Sequence, residues 1–254
     1  MKYLVIGPGG MGIFTLVGYL KRIENQLVDV KEISGSSAGA IISLFLSMGM
    51  SIDEIYNNML SVDISKLVKM RLGSFFSKFG LIDLEPIRKK LINICGKDPT
   101  FNELNMTIFI SAFCLNTGET VYFSKNSHPD MKVIDAVCMS MAIPLIFTSI
   151  KYQEHTYVDG ATKEHVPLSP FIDKKVHEIT CLKLNINSVY RENINNPKEY
   201  LECLVRSSLQ TKPEYNNRGI NTIEIDIDET TLFNFNMSYE DKIKLFNIGY
   251  SSRK

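Results

Sequence analysis

Residues Gly35-Ser36-Ser37-Ala38-Gly39 spell G-x-S-x-G. The pattern carries chemistry only in context. A serine nucleophile for acyl transfer sits on a sharp strand-to-helix turn that exposes its Oγ, and its neighbours are small because a Cβ there would strike adjacent backbone. A β-type run, Val30 to Ile33, precedes the pentapeptide and an apolar helical run, Ala40 to Met48, follows it. Ser37 is therefore the candidate nucleophile; without that chemistry, Ser36 and Ser37 would merely cap the helix. A second segment, Gly7-Pro8-Gly9-Gly10-Met11-Gly12, fits G-x-G-x-x-G between strand and helix. A dinucleotide site with this fingerprint also needs an acid near the end of the second strand to hold the ribose. Ser34-Gly35-Ser36-Ser37 occupies that place, while Asp29 and Glu32 lie at the start of the strand or within it. The Gly-Lys-Ser/Thr of a P-loop is missing too. What the loop offers is backbone N–H groups at a helix N-terminus, suited to a developing negative charge.

Asp159, in Tyr157-Val158-Asp159-Gly160-Ala161, follows a short β segment and is the best-placed acid, although a strand-end Asp-Gly also makes a plain turn. His128, His155, His165 and His177 are the available imidazole bases for a Ser-His-Asp triad. None has a motif of its own, so each reads as a surface residue.

The elements that must position these groups follow from hydropathy periodicity. Lys2 to Ile6 reads as a strand and Ile13 to Ile23 as a helix. Ser51-Ile52-Asp53-Glu54 is a capping box opening another helix, and Leu84 to Cys95 is a helix closed by Gly96. Met106 to Leu115 turns through Asn116-Thr117-Gly118 into Glu119 to Phe123, a hairpin. Val133 to Ala142 is a helix stopped by Pro144. Strands are expected at 149–152, 156–158, 179–185 and 222–227, and helices from Pro197 to Leu209 and from Ser238 toward Gly249. Early alternation of strands and helices predicts an α/β fold with a parallel core and three layers. The Asn-rich stretch 193–221 reads as a surface region containing one helix. We expect a single domain over 1–254, its motif-carrying core about 3–172 and its C-terminal strands and helix in 173–254.

The glycine loop, the serine elbow and Asp159-Gly160-Ala161, in this order, resemble the patatin-like phospholipase family, which combines an oxyanion loop, a G-x-S-x-G elbow and an Asp-Gly-Gly/Ala motif. Ser140-Met141-Ala142-Ile143-Pro144 is similar to that family's Ser-x-Ala-x-Pro segment. Phe235-Asn236-Met237-Ser238, with Leu245 and Gly249-Tyr250, is similar to the C-terminal helix of its bacterial-type members. The resemblance runs from about residue 3 to 250. It implies a three-layer α/β/α fold around a mainly parallel sheet. It also implies a phospholipase A or lysophospholipase type of carboxylic ester hydrolase, working on glycerolipids through an acyl-Ser37 intermediate. On this carry-over the machinery is a Ser-Asp dyad without histidine: Ser37 is the nucleophile and Asp159 the base. Gly9 and Gly10 N–H groups form the oxyanion hole, and Gly7, Gly12, Gly35, Gly39 and Gly160 are motif glycines. No metal and no cofactor is implied. Two departures bear on the rate. Pro8 stands where members carry a third glycine and has no N–H, and Met11 replaces a Lys or Arg, removing a positive charge near the oxyanion site.

Between Ile64 and Gly80 lie Lys66, Lys69, Arg71 and Lys78, no acid, and Leu67, Val68, Met70, Leu72, Phe75, Phe76 and Phe79. Such a segment could rest on an anionic membrane or roof a lipid tunnel, or simply pack as a cap with solvated lysines. Over 254 residues, 28 basic and 28 acidic side chains leave no net charge, which disfavours dedicated nucleic-acid binding. Five cysteines include no C-x-x-C pair, and most sit inside apolar runs, where they read as small buried hydrophobes of a reducing compartment. The longest apolar stretch, Ala40 to Met50, is about half of the roughly 20 residues that span a bilayer. The expectation is a cytoplasmic protein, at most peripheral to membranes. Two other readings stay open: a catalytically silent interaction module, which a fluorophosphonate serine probe would not label, and a nucleotide-cofactor protein, which NAD(P) would protect from melting.

Overall fold

The computed structural model describes residues 1–187, 192–209 and 219–252. The chain begins with β1 (Tyr3–Ile6), α1 (Ile13–Arg22), α2 (Glu24–Leu27), β2 (Glu32–Gly35) and α3 (Ala38–Ser47). Next come α4 (Ile52–Ser61), α5 (Ile64–Leu67), α6 (Leu72–Lys78), β3 (Gly80–Ile82) and α7 (Glu85–Cys95). The middle holds β4 (Thr107–Cys114), β5 (Glu119–Ser124), α8 (Val133–Met141), β6 (Leu145–Phe147), β7 (Ile150–Tyr152) and β8 (His155–Asp159). The C-terminal part is β9 (Ile179–Asn187), α9 (Pro197–Leu209), β10 (Asn221–Asp228) and α10 (Tyr239–Ser251).

The central sheet runs β10-β9-β1-β2-β4-β8-β7, with β5 also paired to β4. Pairings from β10 through β4 are parallel, and those of β5, β7 and β8 are antiparallel. The sheet is thus α/β and mainly parallel in its core. Leu4, Val5 and Ile6 are all fully buried, as a parallel strand covered on both faces requires. Leu4 and Ile6 point into the main core with α1, α3 and α8, whereas Val5 points into a second cluster with Leu168, Phe171, Ile179 and Cys181. On that second face Leu168 and Phe171 come from the short 3-10 turn at Ser169–Phe171 and the residue before it. The helical face is tied together by the crossing of α1 and α10, where glycines meet reciprocally. A Cβ on Gly18 would strike the Phe246 carbonyl, and one on Gly249 the Thr15 carbonyl.

One edge arrangement decides where the functional groups meet. β5 takes one edge of β4 along 109–114. The other edge is shared in succession, residues 107–110 by β2 and 112–114 by β8. Because β2 runs parallel to β4 and β8 antiparallel, their C-terminal ends converge, Gly35 opposite Ile110 and Asp159 opposite Ala112. Only Ser111 separates the two ends.

Local expectations differ from the structure in a few places. The second strand is Glu32–Gly35, not Val30 to Ile33, because its parallel register to β1 runs from Tyr3–Glu32 to Ile6–Gly35. The following helix begins at Ala38, immediately after Ser37. β3 and β6 form a separate two-stranded parallel sheet that three-residue apolar runs did not reveal. Of the Asn-rich stretch, residues 210–218 lie outside the described residues.

Candidate active site

Ser37 occupies the N-cap of α3 with φ 54° and ψ −115°. For a non-glycine residue this backbone costs of order 1–3 kcal/mol and persists only where the surroundings enforce it. They do so through three backbone–backbone hydrogen bonds and one to a side chain. Ser36 N–H donates to Ile6 O (3.2 Å), Gly39 N–H to Ser36 O (2.8 Å) and Ala40 N–H to Ser37 O (3.0 Å). The Ser37 N–H donates to the Oγ of Ser140 on α8 (2.9 Å). The flanking glycines are sterically required. A Cβ on Gly35 would meet Ser43 Oγ and the Gly39 carbonyl, and one on Gly39 the Ile6 carbonyl. Ser36 is fully buried, and its hydroxyl finds no partner among the described residues.

Asp159 ends β8 and is 1% exposed. Its own N–H donates to Ala142 O (2.9 Å), and its Oδ1 accepts the Ala161 N–H (2.9 Å). The Ser37 side chain faces the same small cavity as this carboxylate. Burial pushes the Asp159 carboxyl up from 3.8 to about 7, against the Ala161 N–H bond that pulls it down. Gly160 lets the chain turn away directly behind the acid, since a Cβ there would strike Ser111, the residue between the two strand ends.

The glycine loop completes the group. Its N–H inventory is short, and most of it is spent. Gly7 donates to Leu182 O (2.9 Å), Met11 to Leu232 O (3.1 Å) and Gly12 to Gly9 O (2.8 Å). Pro8 has none. The N–H groups of Gly9 and Gly10 find no acceptor among the described residues. Gly10 has φ +49°, and its Cβ position is blocked by the Leu232 carbonyl. Gly12 packs where a Cβ would meet Leu184 and Ile227.

Two cavities meet at Ser37. The smaller, about 40 Å³, is lined by Pro8, Gly9, Gly10, Ser37, Asp159 and His165 among others. At ~10–15 Å³ per water it holds about three waters. The larger, about 120 Å³, runs beside α3 from Ser37 past Ile41 to Phe45. Eight residues of helix at 1.5 Å each make this path about 12 Å long. Its other walls come from Met11, Val62, Leu67, Val68, Leu91 and Phe147. Lys90 is the one charged residue among those lining it. An apolar-walled space of this size, close to the ~150 Å³ at which a cavity stays dry and accepts benzene, suits a hydrocarbon.

The structure therefore brings Ser37, Asp159, Gly9 and Gly10 around one point. Met11, expected as a lost cation, instead supplies cavity wall. His165, read from sequence as a surface residue, lines the small pocket. His128 stacks edge-on against Phe123, His155 begins β8 and His177 lies in a short turn. Ser140 was visible only as part of a motif; its bond to Ser37 spans 103 residues and has no local signature. Cys95, Cys114, Cys138 and Cys181 are free thiols. No group of three or more His, Cys, Asp or Glu among the described residues could hold a metal. No helix among them is long and apolar enough to cross a membrane.

A family model described as patatin-like phospholipase matches residues 4–172. The "Uncharacterized protein R571" of Acanthamoeba polyphaga mimivirus is 32% identical over 100% of this chain and 93% of that protein. The "Probable lipid hydrolase 463L" of Invertebrate iridescent virus 6 is 26% identical over 99% and 91%, respectively. The crystal structure of VipD from Legionella pneumophila superposes with a TM-score of 0.67 at 16% identity. It covers 98% of this chain, which spans 65% of the VipD chain, and it shows a shared fold.

Proposed function

Because the chain belongs to the patatin-like phospholipase family, we propose that it is a lipid acyl hydrolase with Ser37 as nucleophile and Asp159 as general base. One observation carries the reading: Ser37 and the buried Asp159 carboxyl, raised to about 7, line one small pocket at the point where an apolar cavity opens. A base is most effective with its pKa near working pH, and burial supplies that basicity without an imidazole.

The acyl chain of a glycerolipid lies in the cavity beside α3, and its ester carbonyl reaches Ser37. Asp159 takes the Ser37 proton as Oγ attacks the carbonyl carbon. The oxygen that gains charge is held by the Gly9 and Gly10 N–H groups. Collapse expels the alcohol, which takes the proton back from Asp159 and leaves acyl-Ser37. Water then attacks the acyl carbon, gives its proton to Asp159, and the proton returns to Ser37 Oγ as the fatty acid leaves. Loss of a single donor of this kind costs roughly 10²–10³ in turnover.

A fluorophosphonate probe tests the proposal. Wild type is expected to be labelled on Ser37 and to hydrolyse soluble esters. Ser37→Ala is expected to lose both, by roughly 10⁴–10⁶ in rate, while remaining folded. Ser36→Ala should keep both, since the hydroxyl it removes bonds to nothing among the described residues. A folded wild type that neither labels nor hydrolyses esters would leave the silent-module reading standing.

A further inference from the structure

The segment from α5 to β3 has an inner and an outer face. Ile64, Leu67 and Val68 face the cavity beside α3. On the outside, Met70 is 60%, Phe76 83% and Phe79 59% exposed, and Phe75 stands beside Phe76 with its ring edge-on. Isolated exposed apolar residues need no explanation. Three exposed phenylalanines and a methionine within ten residues are a cluster, and such clusters mark contact surfaces. The segment is pinned, not loose: Arg71 N–H donates to Leu81 O (2.7 Å), and Met70 bridges Ile82.

Its charge selects the occupant. Lys66 pairs with Asp63 (3.2 Å) and Lys78 with Asp83 (3.1 Å), both pairs at the ends of the segment. Lys69 and Arg71, at its middle and exposed, have no acidic partner within 4 Å among the described residues. In a chain without net charge, this is a local concentration of cations among exposed aromatic side chains. Burial of exposed aromatics beside unpaired cations is the composition of an interfacial anchor on anionic lipid.

We propose that residues 69–79 dock the protein on an anionic lipid surface, Phe76, Phe79 and Met70 entering the acyl boundary while Lys69 and Arg71 hold the headgroups. Docking places the outer face of the cavity roof against the bilayer that holds the substrate. The functional role of this surface rests on the hydrolase reading, but docking does not require catalysis, so the two can fail separately.

The test uses the full chain carrying Ser37→Ala, so that vesicles are not consumed. Partition is measured by co-sedimentation with vesicles of phosphatidylcholine alone and of phosphatidylcholine with phosphatidylserine. Binding is expected only to the anionic vesicles and should weaken with added salt. Phe76→Ser is expected to reduce partition by about tenfold or more, and Lys69→Glu or Arg71→Glu by at least about fivefold each. In an otherwise wild-type background, these variants should hydrolyse a soluble short-chain ester at the wild-type rate. Loss of soluble-ester hydrolysis in the unmodified chain would defeat the hydrolase reading and leave docking intact. Equal binding to both vesicle types, binding to neither, or unchanged partition of Phe76→Ser would overturn the docking proposal. So would a dimer that Phe76→Ser dissociates, because a second copy would then cover this face.

Discussion

The elbow at residues 35–39 and the cap at residues 63–80 border the same cavity and are built on opposite terms. At the elbow, small residues let backbone approach backbone, and the N–H of the strained serine is held by a side chain from another helix. In the cap, large apolar side chains and cations stand in solvent on the outer face, and the segment is tied down by backbone bonds to β3 and Ser149 and by inner-face apolar side chains. Rigid placement is what reacting atoms need, whereas an exposed apolar cluster makes sense only if something else covers it. The two regions should therefore respond differently to substitution.

The largest effect is expected in the glycine loop. Gly10→Ala adds a Cβ against the Leu232 carbonyl at a positive φ, so the peptide must rotate and its N–H with it. Turnover of a soluble ester should fall by roughly 10²–10³ with a smaller change in KM. If KM alone rises, the loop contacts lipid and does not stabilise charge, and the contrast between rigid and docking regions fails.

A second expectation concerns what the buried acid costs the fold. The Asp159 carboxyl is raised to about 7 from 3.8, so the native state holds its proton more tightly than the unfolded chain. Between those values stability falls as pH rises, and the contribution is lost above about 7. Asp159→Asn removes the ionisation, so the variant should be more stable than wild type above pH 7, with the gap shrinking toward pH 4. Urea melts of both proteins at several pH values measure this. A constant gap would mean that Asp159 ionises freely in the fold.

The smallest effect is expected in the cap. Phe76→Ser should leave stability within about 0.5 kcal/mol of wild type, since 83% of the residue is already in solvent. A large loss in urea melts would mean that the aromatic cluster packs as part of the core.

The candidate site was legible in the sequence where its geometry is coded locally. Gly35, Gly39 and Gly160 stand where a Cβ would hit neighbouring backbone, and such requirements leave a spacing that can be read. What brings Ser37 and Asp159 together is not local. It depends on β2 and β8 sharing one edge of β4, and nothing in 107–114 announces that arrangement. The spent N–H of Met11, the Ser140 bond to Ser37 and the place of His165 in the small pocket come equally from distant segments. The cap was legible as composition alone. Its short helices and its pairing to β3 depend on which face of a basic, apolar run finds the core.

In the mechanism we propose, Asp159, and no histidine, takes the Ser37 proton. The position of the acid limb cannot decide this, because a carboxyl near 7 titrates where an imidazole near 6.5 does. The deciding measurement is kcat/KM for a soluble ester against pH in wild type, His165→Ala and Asp159→Asn. Wild type and His165→Ala are expected to share an acid limb near 7 and comparable rates, while Asp159→Asn falls by roughly 10⁴ and loses the limb. A folded His165→Ala as inactive as Asp159→Asn would contradict the account and put an imidazole at the centre of the mechanism.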